Sequence, residues 1–241
     1  MDLEDAQLQL HSFFRSTSSA RVRTAAKLKG IPLSLVYVNL RKGEQFGRDY
    51  ADINPNLTVP VITITFPHAH DSMQFTIRQS VAILEFLEEA FPGRRPLLPQ
   101  TNDPVARAHV RELVNVITCD IQPPTNQKIL KRIKVLGGDI DQWAKRIMTE
   151  GLIAFEKMAA PLAGDFSYGN QLSLADVVLA PAVENAVRYG VNFDEMPTVK
   201  RVYERIRHLE EFRAADWKHQ EDTPEEDRLN NFDVRNGRLL D

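Results

Sequence analysis

The sequence predicts a small α/β sandwich over its first third and an all-helical second half. Three observations carry that reading. Strand and helix patterns alternate through residues 1–92. The turn-forming stretch Pro92-Gly93-Arg94-Arg95-Pro96 then breaks the pattern. Beyond it strand signals vanish, and apolar residues recur at helical spacing. The expected organisation is an α/β domain over 1–92, a linker over 93–102, a helical domain over 103–220 and a polar C-terminal tail over 221–241.

Leu8 to Phe14 is short and apolar and reads as a strand. It stops at the hydroxyl-rich stretch Ser16-Thr17-Ser18-Ser19. A helix follows, with Val22, Ala25 and Ala26 on one face. Gly30 and Pro32 close it, as a glycine past a helix end and a following proline do. Leu33 to Leu40 alternates and reads as a second strand. Val59 to Phe66, rich in β-branched residues, reads as a third, with Ser72 to Ile77 as its hairpin partner across Pro67 to Asp71. Val81, Leu84, Leu87 and Phe91 mark an amphipathic helix with Ser80 as its cap.

In the second half, Val110, Leu113, Val114, Ile117 and Ile121 share a helical face. Trp143, Ile147, Phe155, Met158 and Leu162 suggest a second long helix. Ser173-Leu174-Ala175-Asp176 has the form of a capping box, with Asp standing in for Glu, ahead of the apolar run Val177 to Val183. The tail from Glu221 to Asp241 is polar and is expected to be at most partly ordered.

Composition excludes several classes of function. Thirty Lys and Arg stand against 33 Asp and Glu, a net charge of −3. That balance argues against a dedicated nucleic-acid binder. Cys119 is the single cysteine, which leaves no disulfide framework within the chain and no cysteine-based zinc site. The histidines show no metal-ligand spacing: His68 and His70 fall in the hairpin loop. No apolar run is long enough to cross a bilayer. Asp2, Glu4 and Asp5 carry the wrong charge for a presequence, so cytoplasm is the expected location.

Four segments could carry chemistry, and each also has a plain structural reading. Hydroxyls at a helix N-terminus can stabilise an anion such as a thiolate, because free N–H groups and the positive dipole end lie there. Ser and Thr are equally good caps with no further role. In Asn54-Pro55-Asn56-Leu57-Thr58-Val59-Pro60, a proline ahead of a strand lacks a ladder donor. A cis Val59-Pro60 bond would present the Val59 main chain to a ligand; an ordinary trans proline would not. Gln79-Ser80 before a helix suits a ligand carboxylate, or again a cap. Arg188 is a cation within the apolar segment Val183 to Val191, placed to bind an acid or to snorkel to solvent.

The order of these segments resembles the cytosolic glutathione transferases over nearly the whole length. Val59-Pro60 matches the family's cis-proline, Gln79-Ser80 its glutamyl-binding turn, and Ser173 to Asp176 its C-terminal-domain capping box. Within the family the similarity is to the zeta class, which includes maleylacetoacetate isomerase. Phe13-Phe14-Arg15-Ser16-Thr17-Ser18-Ser19-Ala20-Arg21-Val22-Arg23 resembles its signature, usually written Ser-Ser-Cys-x-Trp-Arg-Val-Arg. Asn39-Leu40, Gln45-Phe46, Asn54-Pro55, Ile121-Gln122-Pro123, Asn126, Asn185-Ala186 and Arg188 fit the same class. Thr17 stands where the class has its second serine, Ser18 where it has cysteine, Ala20 where it has tryptophan, and Thr58 where it has glutamine.

The resemblance implies a thioredoxin-like N-terminal domain, an all-α C-terminal domain and glutathione as cofactor. Ser16 would face the glutathione sulfur, supported by Thr17 and Ser18. Gln45, Val59, Gln79, Ser80, Gln122 and Asn126 would bind the tripeptide, and Arg188 the second substrate. Pro60, Ser173 and Asp176 would be structural, and no metal is expected. The implied activity is cis–trans isomerisation of maleylacetoacetate in aromatic amino-acid catabolism, by a cytoplasmic homodimer without nucleic-acid or membrane partners. The alternatives are a general transferase, haloacid dehalogenase or glutathione peroxidase acting on another small electrophile, and a non-catalytic glutathione-fold protein that binds a partner or stores a hydrophobic ligand.

Overall fold

A six-residue strand, β1 (Gln7–Ser12), is the axis of the N-terminal part of the fold. The structure is a computed structural model that describes residues 3–66 and 73–229. It divides into two units. One holds the described residues of Met1–Pro96 together with Glu210–Arg228; the other holds those of Leu97–Leu209 and Leu229–Asp241. The division therefore differs from the expected one. Residues 210–228 pack with the α/β part rather than with the helices that precede them.

In the first unit β1 leads into α1 (Thr17–Lys29), which crosses over to β2 (Ser34–Tyr37). The crossover makes β1 and β2 parallel, with Leu10 opposite Leu35. A short helix, α2 (Arg48–Ile53), precedes the hairpin of β3 (Val61–Phe66) and β4 (Met73–Arg78). β3 runs antiparallel to β1, with Leu8 opposite Ile64, and the sheet order is β2-β1-β3-β4. β3 is buried along nearly its whole length, which explains its unbroken run of β-branched and apolar residues. Gly30 ends α1 at φ 64°, where it donates its N–H to the Ala26 and Lys27 carbonyls. The final helix of this part is α3 (Ser80–Ala90).

Several elements depart from their expected bounds. β1 stops at Ser12, because the chain turns inward at Phe13 and Phe14, both buried. β2 is four residues long and α2 was not anticipated. Ser80 is not the cap of α3. Gln79 holds that position without a side-chain hydrogen bond, and Ser80 is the first helical residue. The hairpin loop with His68 and His70 lies outside the described residues.

The second unit holds α4 (Pro104–Asn115), α5 (Gln127–Val135), α6 (Ile140–Ala159), α7 (Leu174–Arg188) and α8 (Pro197–Ile206). The face Val110, Leu113, Val114, Ile117 and Ile121 is buried as its spacing predicts, but α4 loosens into a π-helical turn over Val116–Ile121. The stripe assigned to α6 is displaced. Ala144, Met148, Leu152, Phe155 and Ala159 are buried, whereas Trp143 is 38% exposed and donates its indole N–H to the Pro124 carbonyl at 3.0 Å. Buried Glu156 on α6 accepts the Thr198 and Val199 N–H groups at 3.1 and 2.8 Å, capping α8 from another helix.

Ser173 and Asp176 meet at the start of α7 as their spacing predicts. The Ser173 N–H and hydroxyl donate to Asp176 Oδ2 at 2.8 and 3.0 Å. The Ser167 N–H donates to Oδ1 at 2.8 Å. Burial pushes the Asp176 carboxyl up from the ordinary carboxylate range, opposed by these hydrogen bonds.

The chain then returns to the first unit. α9 (Glu210–Ala215) packs against α1, and a short α10 (Glu225–Leu229) follows. The segment expected to be a polar tail thus contains helical turn up to residue 229; residues 230–241 lie outside the described residues.

Asp176→Ala leaves three buried donors without their acceptor, each worth about 1–3 kcal/mol when stranded. We expect a loss of about 3 kcal/mol or more in chemical denaturation. A loss below about 1 kcal/mol would show that water replaces the carboxylate without cost.

Candidate active site

The turn from β1 into α1 places the hydroxyl cluster. Phe13 and Phe14 sink into a core of Val38, Tyr50, Val59 and Val61, and hold the chain that follows. Ser16 caps α1, its Oγ accepting the Ser19 N–H at 3.1 Å. Capping and function are compatible here, because an oxygen that accepts the helix N–H keeps its own O–H for another acceptor. The Thr17 and Ser18 N–H groups, in the first helical turn, have no partner among the described residues. Ser16, Thr17 and Ser18 are all half-buried, so a ligand can reach them.

The Val59-Pro60 bond is cis. The Thr58 carbonyl just before it accepts two donors, the Tyr50 hydroxyl at 2.7 Å and the Asn54 amide at 2.7 Å. The Thr58-Val59 peptide is trans, so its N–H points opposite to that carbonyl. Tyr50 and Asn54 therefore aim the Val59 N–H away from themselves. Neither the N–H nor the C=O of Val59 has a hydrogen-bond partner among the described residues, although Val59 is only 8% exposed. Burial pushes the Tyr50 phenol up to about 12, which keeps it a donor at neutral pH.

Gln79 adopts φ 75° and ψ 121°, a left-handed conformation unusual for a residue with a side chain. The Ser80 Oγ accepts Nη1 of Arg21, a guanidinium only 2% exposed, at 3.1 Å. That leaves the Ser80 hydroxyl proton and the first N–H groups of α3 available to an anion. Gln45 lies in a 3-10 turn, Glu44–Phe46, buried and with Oε1 unpartnered among the described residues. These groups all lie in the first unit.

The second unit carries the other three residues. Gln122 is half-buried after the π-helical turn. Asn126 caps α5, its side-chain oxygen accepting the Ile129 N–H at 3.0 Å. Arg188 is the last residue of α7; it donates to Asn185 Oδ1 at 3.1 Å and lies 5.6 Å from the Tyr189 ring centroid. Among the described residues no cluster of three side chains could hold a metal, and no helix is long and apolar enough to cross a membrane.

Sequence reasoning missed the supporting residues. Tyr50 donates its hydroxyl to the Thr58 carbonyl, and Arg21 donates to the Ser80 hydroxyl. The arginine had a detectable signal, since a charged residue that faces inward on an apolar helix face needs a buried partner.

Residues 15–90 match the glutathione S-transferase N-terminal domain, and residues 141–210 match the glutathione S-transferase C-terminal domain. The chain belongs to the glutathione S-transferase family. A probable glutathione S-transferase of Coccidioides immitis is 46% identical over 222 residues, covering 90% of this chain and 96% of that protein. A maleylacetoacetate isomerase of Aspergillus fumigatus is 44% identical over 230 residues, covering 95% and 98%. The crystal structure of a maleylacetoacetate isomerase from Anaeromyxobacter dehalogenans, with glutathione bound in its active site, has a TM-score of 0.81 at 36% identity. It covers 91% of this chain and 99% of that one. The mixed four-stranded sheet and the helical unit described above are thus those of a glutathione transferase, with a thioredoxin-like first part.

Asn54→Ala removes one of the two donors that aim the Val59 peptide. The expected result is a glutathione dissociation constant raised about fivefold, equivalent to about 1 kcal/mol. Calorimetry checks it, and an unchanged constant would show that Tyr50 alone fixes the peptide.

Proposed function

We propose that this transferase is a glutathione-dependent cis–trans isomerase of maleylacetoacetate. The observation that carries the reading is the Val59 main chain, without a hydrogen-bond partner among the described residues and packed with Phe13 and Phe14 just ahead of Ser16. It supplies a main-chain docking edge, and Ser16 keeps a hydroxyl proton to donate, as binding and ionising a thiol-bearing peptide requires. The isomerases among the relatives support the choice of substrate.

Bound glutathione supplies a thiolate that adds reversibly to the cis double bond of a conjugated diketo acid, leaving a single bond that rotates before elimination. The residues of this chain make that thiolate available. A free thiol has a pKa of about 8.5, so it is mostly protonated at neutral pH. Each unit of depression requires about 1.4 kcal/mol of preference for the anion. The Ser16 hydroxyl, as a charge-assisted donor worth about 1.5–3 kcal/mol, covers one to two units. The Thr17 and Ser18 N–H groups and the positive end of α1 add to it. Ser18 can donate a hydrogen bond but, unlike the cysteine usual at its position, cannot act as a thiol.

Val59 pairs with the cysteinyl main chain in this reading. Gln79, Ser80 and the α3 N-terminus hold the γ-glutamyl carboxylate, and Gln45 meets the glycyl end. Gln122 and Asn126 contribute further polar contacts to the tripeptide. Arg188 binds a substrate carboxylate, for which a planar guanidinium is suited. Pro60, Ser173 and Asp176 serve the architecture. We assign the protein to the cytoplasm, acting as a homodimer without nucleic-acid or membrane partners, on the family resemblance and composition.

The function is tested by assaying isomerisation of maleylacetone beside conjugation of a neutral aryl halide. We expect isomerisation, and we expect Arg188→Ala to raise KM for the acidic substrate at least tenfold more than for the halide, a difference of about 1.4 kcal/mol. Conjugation without isomerisation would make the protein a general transferase instead. Ser16→Ala should raise the pKa of the bound glutathione thiol by about one to two units, read from thiolate ultraviolet absorbance. An unmoved titration would take the donor role from Ser16.

A further inference from the structure

The returning segment of residues 210–227 does more than cover α1. The Asp222 carboxylate accepts the Phe14 N–H at 2.9 Å, across 208 residues of sequence. On the other side of the same residue, Arg23 Nη2 donates to the Phe14 carbonyl at 3.3 Å. Arg23 also donates to Ser12 Oγ at 2.9 Å and, through Nε, to the Ala215 carbonyl at 3.0 Å. Phe14 is therefore gripped at both its N–H and its C=O, two residues before Ser16. Further along, Asp227 makes a two-pronged pair with Arg41 at 2.6 and 2.9 Å and lies 3.6 Å from Arg15. Arg41 in turn stands 5.0 Å from the Phe14 ring centroid. Trp217 packs on the core that contains Phe13 and Phe14, and its carbonyl accepts the Thr223 hydroxyl.

The arrangement costs stability that a purely architectural contact need not. Asp222 is half-buried, and its Oδ1 is buried with no hydrogen-bond partner among the described residues. A carboxylate held that way is expensive to desolvate, and Arg23 is its nearby cation while Glu221 repels it. We propose that residues 210–227 form a strap that sets the position of the Ser16 hydroxyl, with Asp222 as the positioning residue. The proposal rests on the reading of Ser16 as thiolate donor. The strap acts through the main chain: Asp222 and Arg23 fix the Phe14 peptide groups, Asp227 fixes Arg15, and Ser16 follows directly.

The sign of one measurement separates positioning from simple electrostatics. Removing a negative charge from the vicinity of a thiolate lowers the thiol pKa. Losing the donor geometry raises it. The bound glutathione thiol is titrated in the full-length wild type, Ser16→Ala, Asp222→Asn and Asp222→Ala. We expect Asp222→Ala to raise the thiol pKa by about one unit, a roughly tenfold smaller thiolate fraction at low pH that converges with wild type at high pH. Asp222→Asn, whose amide oxygen can still accept the Phe14 N–H, should titrate near wild type. Where Asp222→Ala does not fold, Asp222→Ser carries the same expectation, since its hydroxyl is too short to reach that N–H. An unchanged or lowered thiol pKa in a folded Asp222→Ala or Asp222→Ser overturns the strap while leaving the Ser16 reading intact. An unshifted Ser16→Ala overturns both.

Discussion

A buried peptide group needs a hydrogen-bond partner, and the first unit withholds one at several places among its described residues. The first N–H groups of α1 and α3 and the Val59 main chain all lack partners within the described protein. Left dry and unmatched, such groups would each cost on the order of 1–3 kcal/mol. A peptide ligand with two carboxylates and its own amides is what this inventory calls for. The constraint explains why an otherwise ordinary α/β unit tolerates a left-handed Gln79 and a set of half-buried hydroxyls.

Holding unmatched groups in place requires rigid support elsewhere, and charged side chains buried in the first unit provide much of it. Arg21 reaches from α1 to Ser80, and Arg23 reaches from the same helix to Ser12, Phe13 and Phe14. One helix thereby ties the turn that precedes it to the start of α3. Lys29, near its end, pairs with Glu88 at 2.8 Å and donates to the Arg95 carbonyl at 3.0 Å, tying α1 to α3 and to the chain beyond it. His11 sits nearby on β1, its ring 5.8 Å from that of Tyr50, and burial lowers its pKa.

Local signals were legible in the sequence where local physics decides the outcome. The end of α1 at Gly30, the meeting of Ser173 with Asp176 and the β-branched run of β3 follow from short-range preference. The displaced face of α6 did not, because Trp143 turns out to give its N–H to Pro124. Likewise the sequence presents Ser80 as a cap, while its oxygen serves a guanidinium 59 residues away. At the site, the residues proposed for ligand contact were chosen from motif and order. Those that hold them, Tyr50 and Asp222 above all, were not, since partners separated by up to 208 residues leave no periodic trace.

The return of residues 210–228 to the first unit makes that unit discontinuous along the chain. During synthesis the first 96 residues leave the ribosome while Trp217 and Asp222 are still untranslated. The nascent unit must wait, with the Phe14 amide uncapped and one side of its aromatic cluster bare, until the whole helical portion has been made. Vectorial production thus couples completion of the early-made half to the arrival of a segment made only after the helical portion.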